Sequence, residues 1–364
     1  MKVVLTGATG FVGGALARRL AAEEVELHAL TLPGSDRSRL AGVPVTFHNG
    51  DITAPAGLDA LFDGATWVIH AAGMLGRAGV SEATYRRVNA EGARHVLAAV
   101  DAARRAGRMA ADLRVLHVSS AGVLGPVTNK KVTSDERRVT SEYAPNSSLV
   151  TRHSSLTHVT RHSSLDESSP LAPSNAYERS KALGEQYAAE YAAGGLPLVI
   201  ARPEFIYGPG DVHVLGLFRA IQRGIFFYIG DGGNTCHPTY VDDMVDGLLA
   251  CLRRGAVGGV YHIAGPRPLP FRELAETIAA ALGVPPPRWR VPRPLAWLGA
   301  AGLEAAGKLT GRDVPLSRTG VAFFSENRRL TYARAERELG FAPRVELKEG
   351  VERTVAWYRD EGLI

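Results

Sequence analysis

Short apolar runs alternate with alanine-rich stretches along the first half of the chain. Because each run is short and apolar, we interpret five of them as strands, namely residues 3–5, 27–30, 45–48, 66–70 and 114–119. Predicted helices cover residues 13–22 and 81–106. Apolar strands separated by helices are typical of a parallel sheet that is covered on both faces. The pattern therefore predicts an α/β fold with a doubly wound parallel sheet.

The second half is less regular and indicates a smaller C-terminal lobe built from separated pieces. Its predicted strands and helices are residues 177–193, 198–201, 241–253, 259–263, 271–282, 295–309, 333–339 and 347–360. We expect residues 1–202 to form one domain and residues 203–364 to form the smaller lobe. We also expect residues from about 240 to about 264 to return to the main sheet.

A polar segment, residues 128–164, interrupts this pattern and contains a seven-residue repeat at 150–156 and 159–165. A loop of this length inside a compact domain is unusual, so we interpret it as an inserted mobile loop. Three histidines in it, His153, His158 and His162, suggest a metal site. The repeat itself explains their spacing, and no carboxylate or cysteine accompanies them. No metal site is therefore predicted.

Composition narrows the class of protein. Hydrophobic residues make up 45% and charged residues 22% of the chain, as in a soluble globular enzyme. The net charge of +5 is modest, and the arginines are scattered, which argues against nucleic-acid binding. Only two cysteines occur, and no apolar stretch reaches the roughly 20 residues that a membrane helix needs. We expect a cytoplasmic protein with no signal peptide and no membrane span.

A glycine-rich turn follows the first predicted strand and opens the first predicted helix. The first glycine permits the tight turn, the second lets the backbone approach a pyrophosphate, and the third lets the helix pack against the sheet. The helix N-terminus also favours negative charge. An ordinary glycine turn is the alternative. The preferred interpretation is a dinucleotide site that includes Gly7, Thr9, Gly10, Phe11, Val12 and Gly13.

Residues after the next strands are placed to contact the rest of a dinucleotide. After the second strand an acidic residue favours NAD and an arginine favours NADP. The loop holds both Asp36 and Arg37, and we lean slightly towards Arg37 and NADP. Asp51 and Ile52 follow the third strand, where Asp51 could instead be a turn residue. His70, which opens a small flat segment after the fourth strand, could be a satisfied polar residue.

Tyr177 and Lys181 are four residues apart on a predicted helix and therefore share one face. A tyrosine with a pKa of about 10 is a poor base near neutrality, and a nearby ammonium favours the phenolate. Ser120, at the end of the fifth strand, could hydrogen-bond a substrate oxygen and fix its position. These three residues are the predicted catalytic set.

Taken together and in this order, these motifs resemble those of the extended short-chain dehydrogenase/reductase (NAD-dependent epimerase/dehydratase) family. The resemblance rests on residues 6–13, 51–52, 70–73, 89, 119–123, 177, 181, 202–203, 207–211 and 240–243. It implies a Rossmann-type cofactor domain with a small substrate lobe, the Ser120, Tyr177 and Lys181 triad, and a homodimer. It also extends the expected cofactor contacts to Ala71, Ala72, Gly73, Asn89, Pro203, Tyr177 and Lys181.

Departures from the family pattern narrow the expected reaction. Sugar-nucleotide dehydratases of the family carry an acidic pair beside the catalytic hydroxyl, where this chain has Ala121 and Gly122. Epimerases usually have an arginine ahead of the segment that corresponds to residues 240–243, and none is present here. The C-terminal pattern is more similar to the 3β-hydroxysteroid dehydrogenase and dihydroflavonol reductase branch. The apolar lobe suits a hydrophobic substrate, although its residues could equally be ordinary core.

The predicted function is an NAD(P)-dependent oxidoreductase that interconverts a secondary alcohol and a ketone on a hydrophobic, sterol-like or similar substrate. One alternative is a nucleotide-sugar epimerase with the same triad. A second alternative is a non-catalytic NAD(P)-binding sensor, against which the intact Ser120, Tyr177 and Lys181 argue. Glu204 could face the substrate, but a solvated turn is the safer interpretation.

Overall fold

A computed structural model describes residues 1–54, 57–77, 79–127, 164–310 and 316–364. The predicted insertion at 128–164, with His153, His158 and His162, lies outside these ranges except for residue 164. Among the described residues, no helix is long and apolar enough to cross a membrane.

Within the described ranges, seven parallel strands form the central sheet, and three strand pairs lie outside it. In chain order the strands are β1 (Lys2–Thr6), β2 (Glu26–Thr31), β3 (Thr46–Asn49), β4 (Trp67–His70), β5 (Arg114–Val118), β6 (Leu198–Pro203), β7 (Ile206–Tyr207), β8 (Phe227–Ile229), β9 (Thr235–Cys236), β10 (Thr239–Tyr240), β11 (Val260–Ile263), β12 (Leu269–Pro270) and β13 (Trp289–Val291). The central sheet has the order β11-β6-β5-β4-β1-β2-β3. This confirms the predicted doubly wound parallel sheet.

Helices cover both faces of the sheet and build the smaller lobe. They are α1 (Phe11–Ala21), α2 (Glu82–Tyr85), α3 (Gly92–Arg105), α4 (Ala176–Ala193), α5 (Leu215–Gln222), α6 (Val241–Arg254), α7 (Phe271–Leu282), α8 (Arg293–Thr310), α9 (Arg318–Phe323), α10 (Ala333–Leu339) and α11 (Leu347–Asp360). The predicted helix 81–106 comprises α2, a π-helical segment Arg86–Glu91 and α3. Sequence periodicity did not predict this wider turn, which frequently marks functional sites.

The sheet core has two halves because successive side chains of a strand point to opposite faces. On β1, Val3 and Leu5 pack with α1 and α6 in one apolar cluster, while Val4 packs with α3 residues in the other. The chain turns from β3 back to β4, beside β1, so the strand order reverses between β1 and β4. Open α/β sheets bind ligands in the crevice at such a reversal.

The smaller lobe has its own apolar core, in which α5, α7 and α11 pack together around Phe218, Phe271 and Tyr358. The segment 241–263 connects this lobe to the sheet. Helix α6 packs against α1, β5 and β6, and β11 forms the edge of the sheet next to β6.

Candidate active site

The glycine turn is packed so tightly that larger side chains do not fit. Gly7 has a φ of +82°, and a Cβ atom there would lie 2.6 Å from the amide nitrogen of Ala72. A Cβ atom on Gly13 would overlap the Gly7 carbonyl oxygen. Both glycines therefore allow β1, the start of α1 and the loop after β4 to meet at the strand-order reversal.

The first turn of α1 presents its backbone amides without a side-chain cap. Gly10 occupies the N-cap position and has no side chain that could cap the helix. The first turn of the helix contains no acidic residue. The amides of Phe11, Val12 and Gly13 precede the first α-helical hydrogen-bond donor at Gly14, which bonds to the Gly10 carbonyl at 2.8 Å. An N-terminus of this kind suits a phosphate group, so the residues present fit the pyrophosphate of a dinucleotide.

Arg37 lies at the carboxyl ends of β2 and β3. Its guanidinium donates to the Thr31 hydroxyl at 3.0 Å and to the Asn49 side chain at 2.7 Å, and its Cζ lies 4.2 Å from the centroid of the Phe47 ring. Asp36 instead accepts hydrogen bonds from Ser38. Arg37 is therefore held at the edge where an adenosine ribose would lie, whereas the Asp36 carboxylate is engaged within its own loop.

Asp51 and Ile52 follow β3 but make mainly structural contacts. The Asp51 carboxylate accepts a hydrogen bond from the Thr53 amide at 2.8 Å, which is a local turn interaction. Ile52 is buried in the cluster that covers α3, and a Cβ atom on Gly92 would lie 2.8 Å from it. Asp51 therefore makes the contacts of a turn residue. A contact between Asp51 and an adenine ring stays a prediction.

The loop after β4 is fixed from both sides. The Ala71 and Ala72 amides donate to the Thr6 carbonyl and hydroxyl, each at 3.2 Å. The Thr6 hydroxyl also bonds the His70 ring at 2.8 Å. Burial lowers the pKa of His70 to about 3, so this ring is neutral near pH 7. His70 is thus a satisfied strand-end residue that holds the small loop flat.

Asn89, in the π-helical segment, ties this loop to α4. Its side-chain oxygen accepts from the Met74 amide at 2.7 Å, and its nitrogen donates to the Met74 carbonyl and the Ser180 hydroxyl, each at 3.0 Å. A Cβ atom on Gly73 would lie 3.1 Å from the Asn89 oxygen and 3.3 Å from the Lys181 amine. Asn89 therefore positions the residue immediately before Lys181.

Ser120 and Tyr177 meet at the carboxyl end of β5. The Ser120 side chain lies close enough to the Tyr177 phenol to act on its pKa, and the Ser120 hydroxyl oxygen accepts from the Gly122 amide at 3.1 Å. Helix α4 presents Tyr177 in its first turn because Asn175 caps the helix through the Glu178 amide. Burial raises the pKa of Tyr177 to about 12, and the Ser120 hydroxyl opposes this shift. Tyr177 therefore holds its proton near neutrality in this environment.

Lys181 is buried below Tyr177, and its amine donates to the Val118 carbonyl at 2.9 Å. Burial lowers the pKa of Lys181 to about 8, partly offset by Glu185. The effect of Lys181 on the Tyr177 pKa stays a prediction; in the structure the Lys181 amine is engaged by the carbonyl at the end of β5.

A cluster of charged side chains lies beside Tyr177, and the sequence analysis did not predict it. The Glu178 carboxylate accepts from Ser174 at 2.7 Å and from Arg328 at 2.5 Å. It also fills the space beside Gly122, where an added Cβ atom would lie 3.3 Å from a carboxylate oxygen. An acidic group thus lies next to Ser120, although the chain lacks acids at positions 121 and 122.

Glu204 belongs to the same cluster, so the interpretation of this residue as a solvated turn is wrong. Only 6% of its surface is exposed, and its amide bonds the Ile263 carbonyl at the end of β11. Burial raises its pKa to about 7; Arg328 opposes this shift and Glu178 adds to it. Its charge also acts on Tyr177. Burial of a carboxyl that shares Arg328 with Glu178 explains why the pKa shifts towards the neutral form.

Beneath this cluster, Arg202 and Glu185 form a buried ion pair at 2.5 Å, and Glu185 also accepts from the Ser119 hydroxyl at 2.7 Å. These bonds connect β6, α4 and the end of β5. Pro203 follows Arg202 at the buried end of β6. The pair therefore helps to place Pro203 and Ser120 at one edge of the sheet.

The structure brings most of the predicted residues to that edge. Ser120 lies close to Tyr177, while Lys181 contacts the end of β5 and the loop after β4. Glu178 could have been suspected from its place next to Tyr177. Arg328 could not, because 150 residues separate it from Glu178 along the chain.

Comparison with known proteins identifies the class. The model of the NAD dependent epimerase/dehydratase family matches residues 3–149 and 154–264. The chain belongs to this family, and the resemblance that the motifs predicted is confirmed. The protein is therefore an enzyme of a group that contains NAD-dependent dehydrogenases, dehydratases and epimerases.

Individual relatives span several activities. The chain is 27% identical over 382 residues to a decarboxylating sterol-4-alpha-carboxylate 3-dehydrogenase of Schizosaccharomyces pombe, which covers 99% of this chain and 98% of the relative. It is 28% identical over 380 residues to a dTDP-glucose 4,6-dehydratase of Streptomyces antibioticus. This match covers 99% of this chain and 93% of the relative. The chain is also similar to a crystal structure of a dTDP-glucose 4,6-dehydratase from Streptomyces venezuelae with NAD and TYD bound. The TM-score is 0.72 and the identity 26%, and the match covers 99% of this chain and 97% of the other.

Proposed function

We propose that the protein is an NAD(P)-dependent oxidoreductase that interconverts a secondary alcohol and a ketone on a hydrophobic, sterol-like or similar substrate. The observation that carries this proposal is that Ser120, Tyr177 and Lys181 meet at the sheet edge that also holds the glycine turn. A hydroxyl pair at a dinucleotide site suits proton transfer to or from a carbinol oxygen.

The cofactor site would be formed by the loops after β1 to β6 and by α4. When bound, NAD(P) would supply a nicotinamide ring that accepts or gives the hydride. The residues proposed to hold it are Gly7, Thr9, Gly10, Phe11, Val12, Gly13, Arg37, Asp51, Ile52, Ala71, Ala72, Gly73, Asn89, Tyr177, Lys181 and Pro203. The placement of Arg37 supports a slight preference for NADP.

Tyr177 would exchange the proton of the substrate hydroxyl at its phenol oxygen. Ser120 would orient the substrate oxygen, because its hydroxyl lies close to the Tyr177 phenol. A Tyr177 pKa of about 12 favours the protonated phenol, so the residue is best suited to donate a proton during ketone reduction. Lys181 would bind cofactor from its place between the ends of β4 and β5.

The surroundings of Glu204 support a hydrophobic substrate without phosphate groups near the reacting carbon. The adjacent Phe205 ring lies 5.2 Å from that of Phe323, which in turn lies 5.2 Å from that of Phe324. On the polar side Arg328 is shared by Glu178 and Glu204. Arg328 is thus engaged by these acids rather than available to a phosphate, and clustered aromatic rings favour an apolar substrate.

The test combines cofactor binding with turnover. We expect NADPH or NADH, but not UDP or UDP-glucose, to raise the melting temperature, because ligands of the native state stabilise it. A screen of hydrophobic alcohols and ketones should then give a stoichiometric change in the absorbance of reduced nicotinamide. Tyr177→Phe should abolish turnover while keeping cofactor binding. Tyr187→Phe, on the same helix, is the matched control and should keep both.

A second candidate is a reaction on a nucleotide sugar with no net redox change, as in an epimerase. The similarity to a solved dTDP-glucose 4,6-dehydratase and the Glu178 carboxylate beside Ser120 favour it. A clear stabilisation by UDP-glucose or dTDP-glucose, without net change in reduced nicotinamide, would place this candidate first. Unchanged cellular activity of Tyr177→Phe would instead favour a non-catalytic sensor.

We also propose a cytoplasmic homodimer that forms through the helices beside the sheet. Helices α3 and α4 pack against each other on one face of the sheet and would form the contact. Light scattering after size-exclusion chromatography would test it, with a monomer mass contradicting the proposal.

A further inference from the structure

Exposed hydrophobic side chains are concentrated in one short part of the smaller lobe. Among the described residues, five of the eleven large hydrophobic side chains that are exposed lie within residues 289–303. They are Trp289, Leu295, Trp297, Leu298 and Leu303. Single exposed hydrophobics are normal, whereas a contiguous group marks an interaction surface.

Helix α8 turns two alanines inwards and exposes its large hydrophobic side chains. Ala296 and Ala300 are buried against Ile229 and Val321. Leu295 and Leu298, three residues apart, are 59% and 67% exposed. An ordinary surface helix has the opposite arrangement, with large apolar residues facing the core. The hydrophobic outer face of α8 is therefore not typical of a helix whose outer face contacts only water.

The charged side chains of the same segment are all positive. No aspartate or glutamate occurs from residue 277 to residue 303, whereas Arg288, Arg290 and Arg293 all lie there. All three arginines are exposed, and Arg293 pairs with Glu326 from outside the segment. Tryptophan, leucine and arginine, exposed together within one short segment, are the residues that bind the interface of an anionic bilayer.

We propose that residues 288–303, the docking face, bind the surface of an anionic phospholipid membrane. Leu295, Leu298 and the two tryptophans would enter the boundary between head groups and acyl chains, and the arginines would contact lipid phosphates. Helix α8 also packs against α9, which carries Phe323. A hydrophobic substrate in the membrane would then lie near the active site; this last point alone rests on the proposed function.

Charge also argues against two other occupants of the docking face. A second copy that used the same face in a two-fold contact would bring the arginines of both copies together, with no acid in the segment to offset them. The segment 128–163 carries six Lys or Arg residues against three Asp or Glu residues. It is therefore basic as well and does not complement the docking face.

The experiment is co-sedimentation of the full chain with vesicles of phosphatidylcholine alone or mixed with phosphatidylserine. We expect binding to the mixed vesicles that weakens at high salt. Leu298→Ser should lower the partition coefficient about tenfold, the order expected for losing one buried leucine. Arg290→Glu should lower it at least about fivefold. Val257→Ser is the matched control, because Val257 is 54% exposed outside the docking face, and should bind like the parent protein.

Several results would overturn the proposal. These are no binding to the mixed vesicles, equal binding to both vesicle types, or equal losses in Val257→Ser and Leu298→Ser. A drop in the mass of the protein in solution for Leu298→Ser would instead assign the face to a second copy. Sedimentation needs neither cofactor nor substrate, so its result is separate from the redox assay. Melting curves of each variant would show that a loss of binding is not a loss of folding.

Discussion

Replacing Glu204 with glutamine should make the stability of the protein less dependent on pH. Glu204 is 6% exposed, and burial raises its pKa to about 7 from 4.5. At a pH between these two pKa values, the folded state therefore keeps a proton that the unfolded state has already lost. Glutamine has nearly the same shape as the protonated carboxyl but cannot ionise, so the variant isolates the cost of charging this group.

The sign and size follow from the two pKa values. A carboxyl whose folded pKa is raised contributes fully to stability below its unfolded pKa, and this contribution is lost as the pH rises through the folded pKa. A difference of about 2.5 units corresponds to about 3 kcal/mol. From about pH 4.5 to about pH 8, the free energy of unfolding of the parent protein should fall by about 3 kcal/mol relative to Glu204→Gln.

The assay is urea unfolding of both proteins at several pH values from about 5 to about 8, compared through the free energy of unfolding. Glu361→Gln, at an exposed position after α11, is the control and should follow the parent protein throughout. A Glu204→Gln difference that stays constant within about 0.5 kcal/mol over this range would refute the reasoning. It would mean that Glu204 gains a compensating partner or is solvated.

The remaining predictions concern other buried or tightly packed positions. Gly13→Ala should abolish stabilisation by NAD(P)H in thermal shift, because its Cβ atom overlaps the Gly7 carbonyl oxygen. Glu185→Leu should lower the free energy of unfolding by about 3–5 kcal/mol in denaturant titrations, because it leaves Arg202 buried without its partner. Arg37→Ala should raise the Kd for NADPH at least about fivefold more than that for NADH in fluorescence titrations; equal effects would remove the preference for NADP.

The sequence by itself determined the local features of the fold and site. Periodicity predicted the strands of the parallel sheet, and the glycine spacing predicted the turn between β1 and α1. The i, i+4 spacing of Tyr177 and Lys181 placed them on one helix face. These features depend on neighbours within a few residues, so one stretch of sequence contains the information for each.

Only the tertiary structure decided how separate segments meet at the site. Arg328 pairs with Glu178 because the C-terminal part of the chain returns beside α4. Glu204 became a buried acid because β11 pairs with the end of β6. Lys181 donates to the carbonyl of Val118, 63 positions away along the chain, at the end of β5. Burial and charge of this kind depend on contacts between residues far apart along the chain, which no local pattern encodes.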